Sequence, residues 1–165
     1  MPISHGLDRD RLLSILQTAE HRLEYLTPND WALLIDRAKK VIFKKGETLI
    51  KKGRQTKVVY LLARGMAKIE AEFGVRIAQV GPGQICGEMA FLENGVASAT
   101  AIAEQEIEAC AIDWSTLSDL FELYPHVASR FYRSLAVSLS RRLRRQIMSE
   151  ANNKQGLSTR VNRSG

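Results

Sequence analysis

The residues with the clearest chemical potential lie in one glycine-rich stretch, residues 80–100. Gly81, Gly83 and Gly87 have no side chain, so the backbone at these positions can approach a ligand closely. The segment that begins at Gly87 is expected to form a short helical turn, whose free N–H groups would face a negative charge. A backbone of this kind is suited to a small anionic group.

The elements that must position this stretch are predicted to be short β-strands. Eight of the eleven glycines lie between residues 46 and 95, spaced as turns. Apolar and polar residues alternate from Ala67 to Phe73 and again from Ile107 to Ala111, as in half-buried antiparallel strands. Further strands are predicted at 41–43, 48–50, 58–62, 76–80 and 99–103. The fold class is therefore mainly β, and the pattern favours a closed sandwich or jelly roll.

Helices are predicted on both sides of the strands. Thr27 before Pro28 is typical of a helix N-cap followed by proline at the first helical position. After the last strand, Ser115 is expected to cap one helix and Pro125 to begin a longer one. We divide the chain into an N-terminal helical region (1–40), a β-roll (41–113) with its glycine-rich cassette (81–100), C-terminal helices (114–150) and a disordered basic tail (151–165).

The glycine-rich stretch resembles the phosphate-binding cassette of cyclic nucleotide-binding domains, the sensory modules of the catabolite activator family. The Gly87-Glu88 pair and the sequence Ser98-Ala99-Thr100 fit the family pattern, in order after Lys45-Gly46-Glu47 and Tyr60–Gly65. The resemblance covers about residues 25–147 and implies a jelly roll of the double-stranded β-helix type. It implies that Glu88 accepts hydrogen bonds from a ribose 2′-hydroxyl and that Ser98 helps hold the phosphate. The ligand-binding residues it implies are Gly87, Glu88, Met89, Ala97, Ser98, Ala99 and Thr100.

One position departs from that pattern. The family has an arginine in the cassette, whose planar guanidinium neutralises the phosphate through two donors, whereas this chain has Ala97. Without that contact, affinity for a cyclic phosphate is expected to fall by about ten- to a hundredfold. A replacement cation could come from Arg76, from Arg54 or from an arginine of a partner chain, and the sequence leaves these alternatives open.

The positive charge of the chain is concentrated near its C-terminus. The net charge is +6, but residues 141–165 hold seven basic residues and one acid, and the remainder is balanced. A cluster of arginines, the basic cluster, is formed by Arg141, Arg142, Arg144 and Arg145. It is either a solvated helix end, stabilised by the helix dipole, or a contact for an acidic protein, a nucleic acid or a membrane surface. We expect no specific binding to a DNA operator, because about 18 residues after the long helix are too few for a DNA-reading domain.

The long C-terminal helix is also predicted to pair with a second copy of the chain. Its apolar residues recur every four positions, and little chain remains to cover them. The residues predicted for this homodimer contact are Phe131, Leu135, Leu139 and Leu143.

No catalytic or metal-binding arrangement is indicated by the sequence. The histidines are scattered, Cys86 and Cys110 lack CxxC spacing and are expected to be buried free thiols, and Glu104, Glu106 and Glu108 are expected on a solvated face. No apolar run approaches the roughly 20 residues of a membrane span, and residues 1–11 are polar. We therefore expect a cytoplasmic protein that is neither an enzyme nor a metalloprotein.

The sequence leads to one hypothesis and one alternative. The hypothesis is a sensory module without a resident cofactor, in which occupancy by cAMP, cGMP or another nucleotide-like ligand changes the position of the long helix and so the binding of a partner. The alternative is a degenerate, ligand-free domain that serves as a dimerisation or docking scaffold, because Ala97 replaces the cassette arginine.

Overall fold

A computed structural model describes residues 8–161 of the chain. Its helices are α1 (Arg9–Thr18), α2 (Pro28–Asp36), α3 (Glu88–Glu93), α4 (Trp114–Leu123) and α5 (Pro125–Val161). Its strands are β1 (Lys39–Phe43), β2 (Thr48–Ile50), β3 (Val58–Arg64), β4 (Ala67–Glu70), β5 (Arg76–Val80), β6 (Ile85–Cys86), β7 (Thr100–Ala103) and β8 (Ile107–Asp113).

The strands form two four-stranded sheets that pack as a sandwich. Their orders are β1-β8-β3-β6 and β2-β7-β4-β5, and every pairing between neighbours is antiparallel. Neighbours in each sheet are mostly distant in sequence, as the jelly-roll arrangement requires. The predicted fold class, a β-roll with N-terminal helices and a long C-terminal helix, is confirmed.

Two apolar cores hold these layers together. One lies between the sheets and contains Leu62, Val80 and Ile107. The other lies between the first sheet and the helices, where Trp31, Leu34 and Phe131 are almost fully buried. The sheet β1-β8-β3-β6 therefore buries both of its faces, one against the other sheet and one against helices α1, α2, α4 and α5.

The predicted start of α2 is confirmed. The Thr27 hydroxyl accepts a hydrogen bond from the Asp30 N–H, while the Asp30 carboxylate accepts one from the Thr27 N–H. This reciprocal capping box satisfies donors that the first turn of a helix leaves without partners. The predicted cap of α4 is wrong: Asp113 at the end of β8 takes the N-cap position, so Ser115 lies inside the first turn.

Two predictions about the strands are also wrong. Strand β4 ends at Glu70, and Phe73 lies in a 3-10 turn at Glu72–Gly74 with 98% of its surface exposed. The turn reverses the chain through left-handed conformations at Phe73 and Gly74, so alternation cannot continue. Glu108 is 2% exposed rather than solvated, and the Arg64 guanidinium lies 3.8 Å from its carboxylate.

Helix α5 is much longer than the sequence pattern predicts. It continues to Val161, so disorder from residue 151 is wrong as far as residue 161, and residues 162–165 lie outside the described part. Most residues after Arg141 are good helix formers, and the single Gly156 costs only about 1 kcal/mol relative to alanine. The basic cluster therefore lies inside the helix, and the predicted support from the helix dipole does not apply, because that effect is confined to the last turn.

The predicted dimer residues fall on different sides of α5. Phe131 and Leu135 are 1% and 2% exposed and pack in the core of their own chain, so the structure contradicts their assignment to a two-chain contact. Leu139 is half-buried, whereas Leu143 is 59% exposed. The reason is geometric: four residues advance a helix by about 40° beyond one turn, so a four-residue repeat rotates out of the core.

None of the helices in residues 8–161 combines the length and apolar character that a membrane span requires. Within the same residues, no three His, Cys, Asp or Glu side chains are grouped so that they could hold a metal ion.

Candidate functional site

The cassette turns from strand into helix at Gly87. This residue has a φ of 91° between β6 and α3, and a Cβ there would lie 2.8 Å from Cδ1 of Ile50 and 3.1 Å from the carbonyl oxygen of Val58. Both the left-handed backbone and the close packing therefore require glycine. The turn brings the start of α3 against the sheet, and Glu88, the first residue of the helix, points into the protein with 5% of its surface exposed.

A cavity of about 80 Å³ lies between the cassette and the interior of the sandwich. Its apolar wall is formed mainly by Ile50, Ile69, Val80, Cys86 and Ala101. Six of the predicted site residues also line it, and these are Gly87, Glu88, Met89, Ala97, Ser98 and Ala99. The structure thus brings together nearly the whole predicted site around one cavity.

Thr100 is the exception. It is the first residue of β7, it does not line the cavity, and its hydroxyl accepts a hydrogen bond from the Lys52 N–H at 3.1 Å. Its hydroxyl thus holds the neighbouring loop, and contact of Thr100 with a ligand stays a prediction.

Ala97 occupies a tightly held position. Its N–H donates to the carbonyl of Arg54 at 2.9 Å, and its own carbonyl accepts from the N–H of Gly53 at 2.8 Å. The residue is 7% exposed and belongs to the core between the sheets. Two backbone hydrogen bonds therefore hold the position where the resemblance places an arginine, but its side chain is only a methyl group.

The cation of the cavity comes from helix α5. Arg142 lines the cavity, and its Nη1 lies 3.3 Å from Oε1 of Glu88. Burial raises the pKa of the Glu88 carboxyl, and the opposing charge and hydrogen bond of Arg142 only partly offset that rise. Within residues 8–161, the polar contact between the cassette and the long helix is therefore this one pair, a buried acid and an arginine.

Two of the three sequence-based candidates for the replacement cation, Arg76 and Arg54, do not reach the cavity, and an arginine of a partner chain stays a prediction. Arg76 pairs with Glu104 at 2.8 Å, with about half of the arginine side chain exposed, and Arg54 is exposed on its loop. Neither residue is part of the cavity wall in the described chain. Arg142 follows Leu135 by seven residues, about two helical turns, so spacing places the two on one face of the helix, but only the structure shows that this face is buried.

The basic cluster is therefore not one uniform surface. Arg142 points into the cavity, and Arg141 forms an ion pair with Glu24 at 2.9 Å. Arg144 and Arg145 are exposed. Arg145 donates to the carbonyl of Arg141 at 3.4 Å. The predicted four-residue patch thus loses Arg142 to the cavity, while Arg141, Arg144 and Arg145 stay exposed.

Both thiols are buried and free, as predicted. Burial raises the pKa of Cys86 to about 12, and the nearby charge of Glu88 adds to this effect. Because the thiolate is the reactive form of cysteine, the thiol in the cavity wall is chemically inert near neutral pH.

Comparison with known proteins identifies this arrangement. The sequence model of the cyclic nucleotide-binding domain matches residues 40–124, more than half of the chain. The chain belongs to the cyclic nucleotide-binding domain family. The family domain thus runs from β1 to the end of α4, and includes every cassette residue discussed above. Domains of this family are regulatory modules.

Similar proteins include a cyclic AMP receptor protein from Thermus thermophilus, 29% identical over 123 residues, which are 72% of this chain and 55% of that protein. A protein named glutaminase 2 from Bradyrhizobium diazoefficiens is 34% identical over 98 residues, which are 59% of this chain and 16% of that protein. Among solved structures, the catabolite activator protein of Thermus thermophilus is 26% identical with a TM-score of 0.65, covering 80% of this chain and 62% of that one. The chain thus spans little more than half, or less, of these curated relatives.

Proposed function

We propose that this chain is a non-enzymatic sensory module that binds a cyclic nucleotide or a nucleotide-like ligand at the cassette and transmits its occupancy through helix α5. The observation that carries this proposal is the contact between Glu88 of the cassette and Arg142 of the helix. A ligand that competes for either side chain must alter this contact, which is the only polar one between α3 and α5 in the described residues. Occupancy and helix position are then linked, because a ligand shifts a conformational equilibrium by its different affinity for the two states.

The size of the cavity supports this coupling. Pockets that hold small ligands usually enclose roughly 300–1,000 Å³, whereas this cavity encloses about 80 Å³ with Arg142 in place. A nucleotide would therefore extend beyond this cavity or displace part of its wall. Arg142 can move because one hydrogen bond holds its side chain in the described residues, whereas Ile50, Ile69 and Ala101 lie on strands held by backbone pairing. In the filled site, we expect Glu88 to accept hydrogen bonds from ribose hydroxyls and Ser98 to contact the phosphate, as the family resemblance implies.

Titration calorimetry with cAMP and cGMP tests this function on the full chain. Saturable heat for either nucleotide supports a sensor, and adenosine 5′-monophosphate serves as a control without the cyclic phosphate. Absence of heat for both cyclic nucleotides at millimolar concentration contradicts the proposal for these ligands. That result favours the alternative, a docking scaffold, which is supported by the buried methyl group of Ala97 in place of a cation.

We also propose that the module forms a homodimer through α5. The proposed contact keeps Leu139 and Leu143 from the sequence prediction and adds Ile147 in place of the buried Phe131 and Leu135. Leu143 and Ile147 are 59% and 58% exposed, and Leu139 is half-buried beside them on the helix. Association of two helices along this stripe would remove the exposed apolar surface from water. The outward-facing Arg144 and Arg145 would remain available to an acidic protein partner.

No catalytic role is proposed for the chain. The similarity to a glutaminase involves 16% of that protein, so its activity is not assigned to this domain. The free thiols of Cys86 and Cys110 support a reducing compartment, and the cytoplasm is the location that we propose.

A further inference from the structure

The charges that line the cassette cavity are unusually few. Among its described lining residues, Glu88 is the one acid and Arg142 the one base. A cyclic phosphate is an anion, and burial of an anion without a cation is strongly unfavourable. Ala97 provides no positive charge, so a phosphate in this cavity needs a cation from another element.

Arg142 has the unused hydrogen-bonding capacity that this role requires. A guanidinium carries five N–H donors in a planar fork. Within the described chain, the Arg142 side chain makes one hydrogen bond, from Nη1 to Glu88, at the long distance of 3.3 Å. Its Nε and Nη2 groups have no protein partner there. By contrast, Arg130 on the same helix uses both Nε and Nη2 to bind Asp30 at 2.6 and 2.9 Å.

We propose that Arg142 is the phosphate-binding cation of this cassette, and that it exchanges its contact with Glu88 for the ligand phosphate. The assignment rests on the proposed function, since it presupposes that a cyclic nucleotide binds. The exchange frees the Glu88 carboxylate to accept hydrogen bonds from the ribose, so one side-chain movement prepares both polar contacts. It also makes phosphate recognition depend on the position of α5, because the cation belongs to the helix and not to the cassette.

The assignment is tested by comparing the affinities for cAMP and adenosine, which differ by the cyclic phosphate. For the full chain, we expect Arg142→Gln to weaken cAMP binding by about ten- to a hundredfold while adenosine binding stays unchanged. Arg142→Lys should keep part of the preference for cAMP, because the charge remains but the fork is lost. Arg144→Gln is the matched control, since it removes the same charge from an exposed position on the same helix.

A second variant separates this assignment from a merely structural role. Adding the family arginine as Ala97→Arg to the Arg142→Gln protein should restore the preference for cAMP over adenosine. Equal weakening of both ligands in Arg142→Gln, or an unchanged preference for cAMP, overturns the assignment and leaves the proposed function standing. Binding by Ala97→Arg but not by the wild-type chain also overturns it, because the pocket is then intact but lacks a cation. Absence of binding by both proteins overturns the proposed function together with the assignment.

Discussion

Two buried carboxylates contact arginines of helix α5, and the two pairs differ in ways that define what each can do. Asp30 is 1% exposed and is bound through two guanidinium nitrogens of Arg130 at 2.6 and 2.9 Å. Glu88 is 5% exposed and is bound through one nitrogen of Arg142 at 3.3 Å. The degree of burial is similar, so the difference lies in the geometry of the hydrogen bonds. The first pair is an anchor, and the second is the contact that a ligand would replace in the proposed function.

The acidities of the two carboxyls show the same contrast. Burial raises the pKa of Asp30, but hydrogen bonds from Arg130 and Thr27 outweigh it and hold the pKa below its ordinary value. For Glu88, burial outweighs the attraction of Arg142, and the pKa stays above its ordinary value. A carboxylate is thus stabilised by its surroundings in one pair and destabilised by them in the other.

Other contacts reinforce the first pair. The Tyr25 N–H donates to the hydroxyl of Ser134 at 3.0 Å, and the guanidinium of Arg133 lies 4.0 Å from the centre of the Tyr25 ring. The beginning of α5 is therefore fixed to the segment that leads into α2. In the later part of the helix, the contacts to other elements include the Glu88 contact and an exposed ion pair between Arg141 and Glu24.

The largest effect is expected from breaking the anchor. Asp30→Ala removes the carboxylate that binds Arg130 and closes the capping box, and should lower the free energy of unfolding by about 3 kcal/mol. Urea unfolding monitored by circular dichroism measures this loss. Asp30→Asn is the control, because it retains an acceptor for the Thr27 N–H and should lose less. Equal stability of Asp30→Ala and the wild-type protein would show that the pair is not an anchor.

A pH titration of stability should distinguish the two acids by sign. The Asp30 pKa lies below its unfolded value near 3.8, so its stabilisation is present above that pH and is lost as pH falls through the folded pKa. The Glu88 pKa lies above its unfolded value near 4.5, so its contribution improves as pH falls toward 4.5. We expect urea unfolding between pH 7 and 3 to show this difference. Below pH 4, the free energy of unfolding should fall less for Asp30→Asn than for the wild-type protein. In the same pH series, the free energy of unfolding of Glu88→Gln should differ from that of the wild-type protein only above pH 4.5.

A smaller effect is expected from Glu88→Gln at neutral pH. The amide has the same shape without a buried charge, and Arg142 can reach water because 31% of its side chain is exposed. The free energy of unfolding should stay within about 1 kcal/mol of the wild-type value. A loss as large as that of Asp30→Ala would mean that both pairs are anchors, and the comparison would fail.

The smallest effect on folding is expected at the exposed stripe of α5. Leu143→Glu combined with Ile147→Glu should leave the stability of the single folded chain unchanged, because both side chains are exposed when no second chain is bound. The mass measured by light scattering should fall from dimer to monomer. Ser149→Glu combined with Asn152→Glu adds the same charge on another face of the helix and should preserve the dimer. An unchanged mass for the stripe variant would exclude this contact.

The fold and most of the cassette could be predicted because their signals are local. Glycine turns, the Gly87-Glu88 pair and the Ser98-Ala99 sequence each depend on backbone conformations within a few residues. The partner of Glu88 could not be predicted in the same way, since 54 residues separate it from Arg142. The burial of Phe131 and Leu135 depends on which side of α5 meets the sheet, and a four-residue repeat alone does not specify that side.

Helix α5 also has the proportions of a lever. At 1.5 Å per residue, Arg142 lies about 18 Å and Val161 about 46 Å along the axis from the fixed point at Arg130. A tilt of roughly 10° about that point would shift Arg142 by about 3 Å, the length of one hydrogen bond, and the far end by about 8 Å. The proposed exchange of one contact in the cassette would thereby be amplified more than twofold in distance before it reaches the end of the helix.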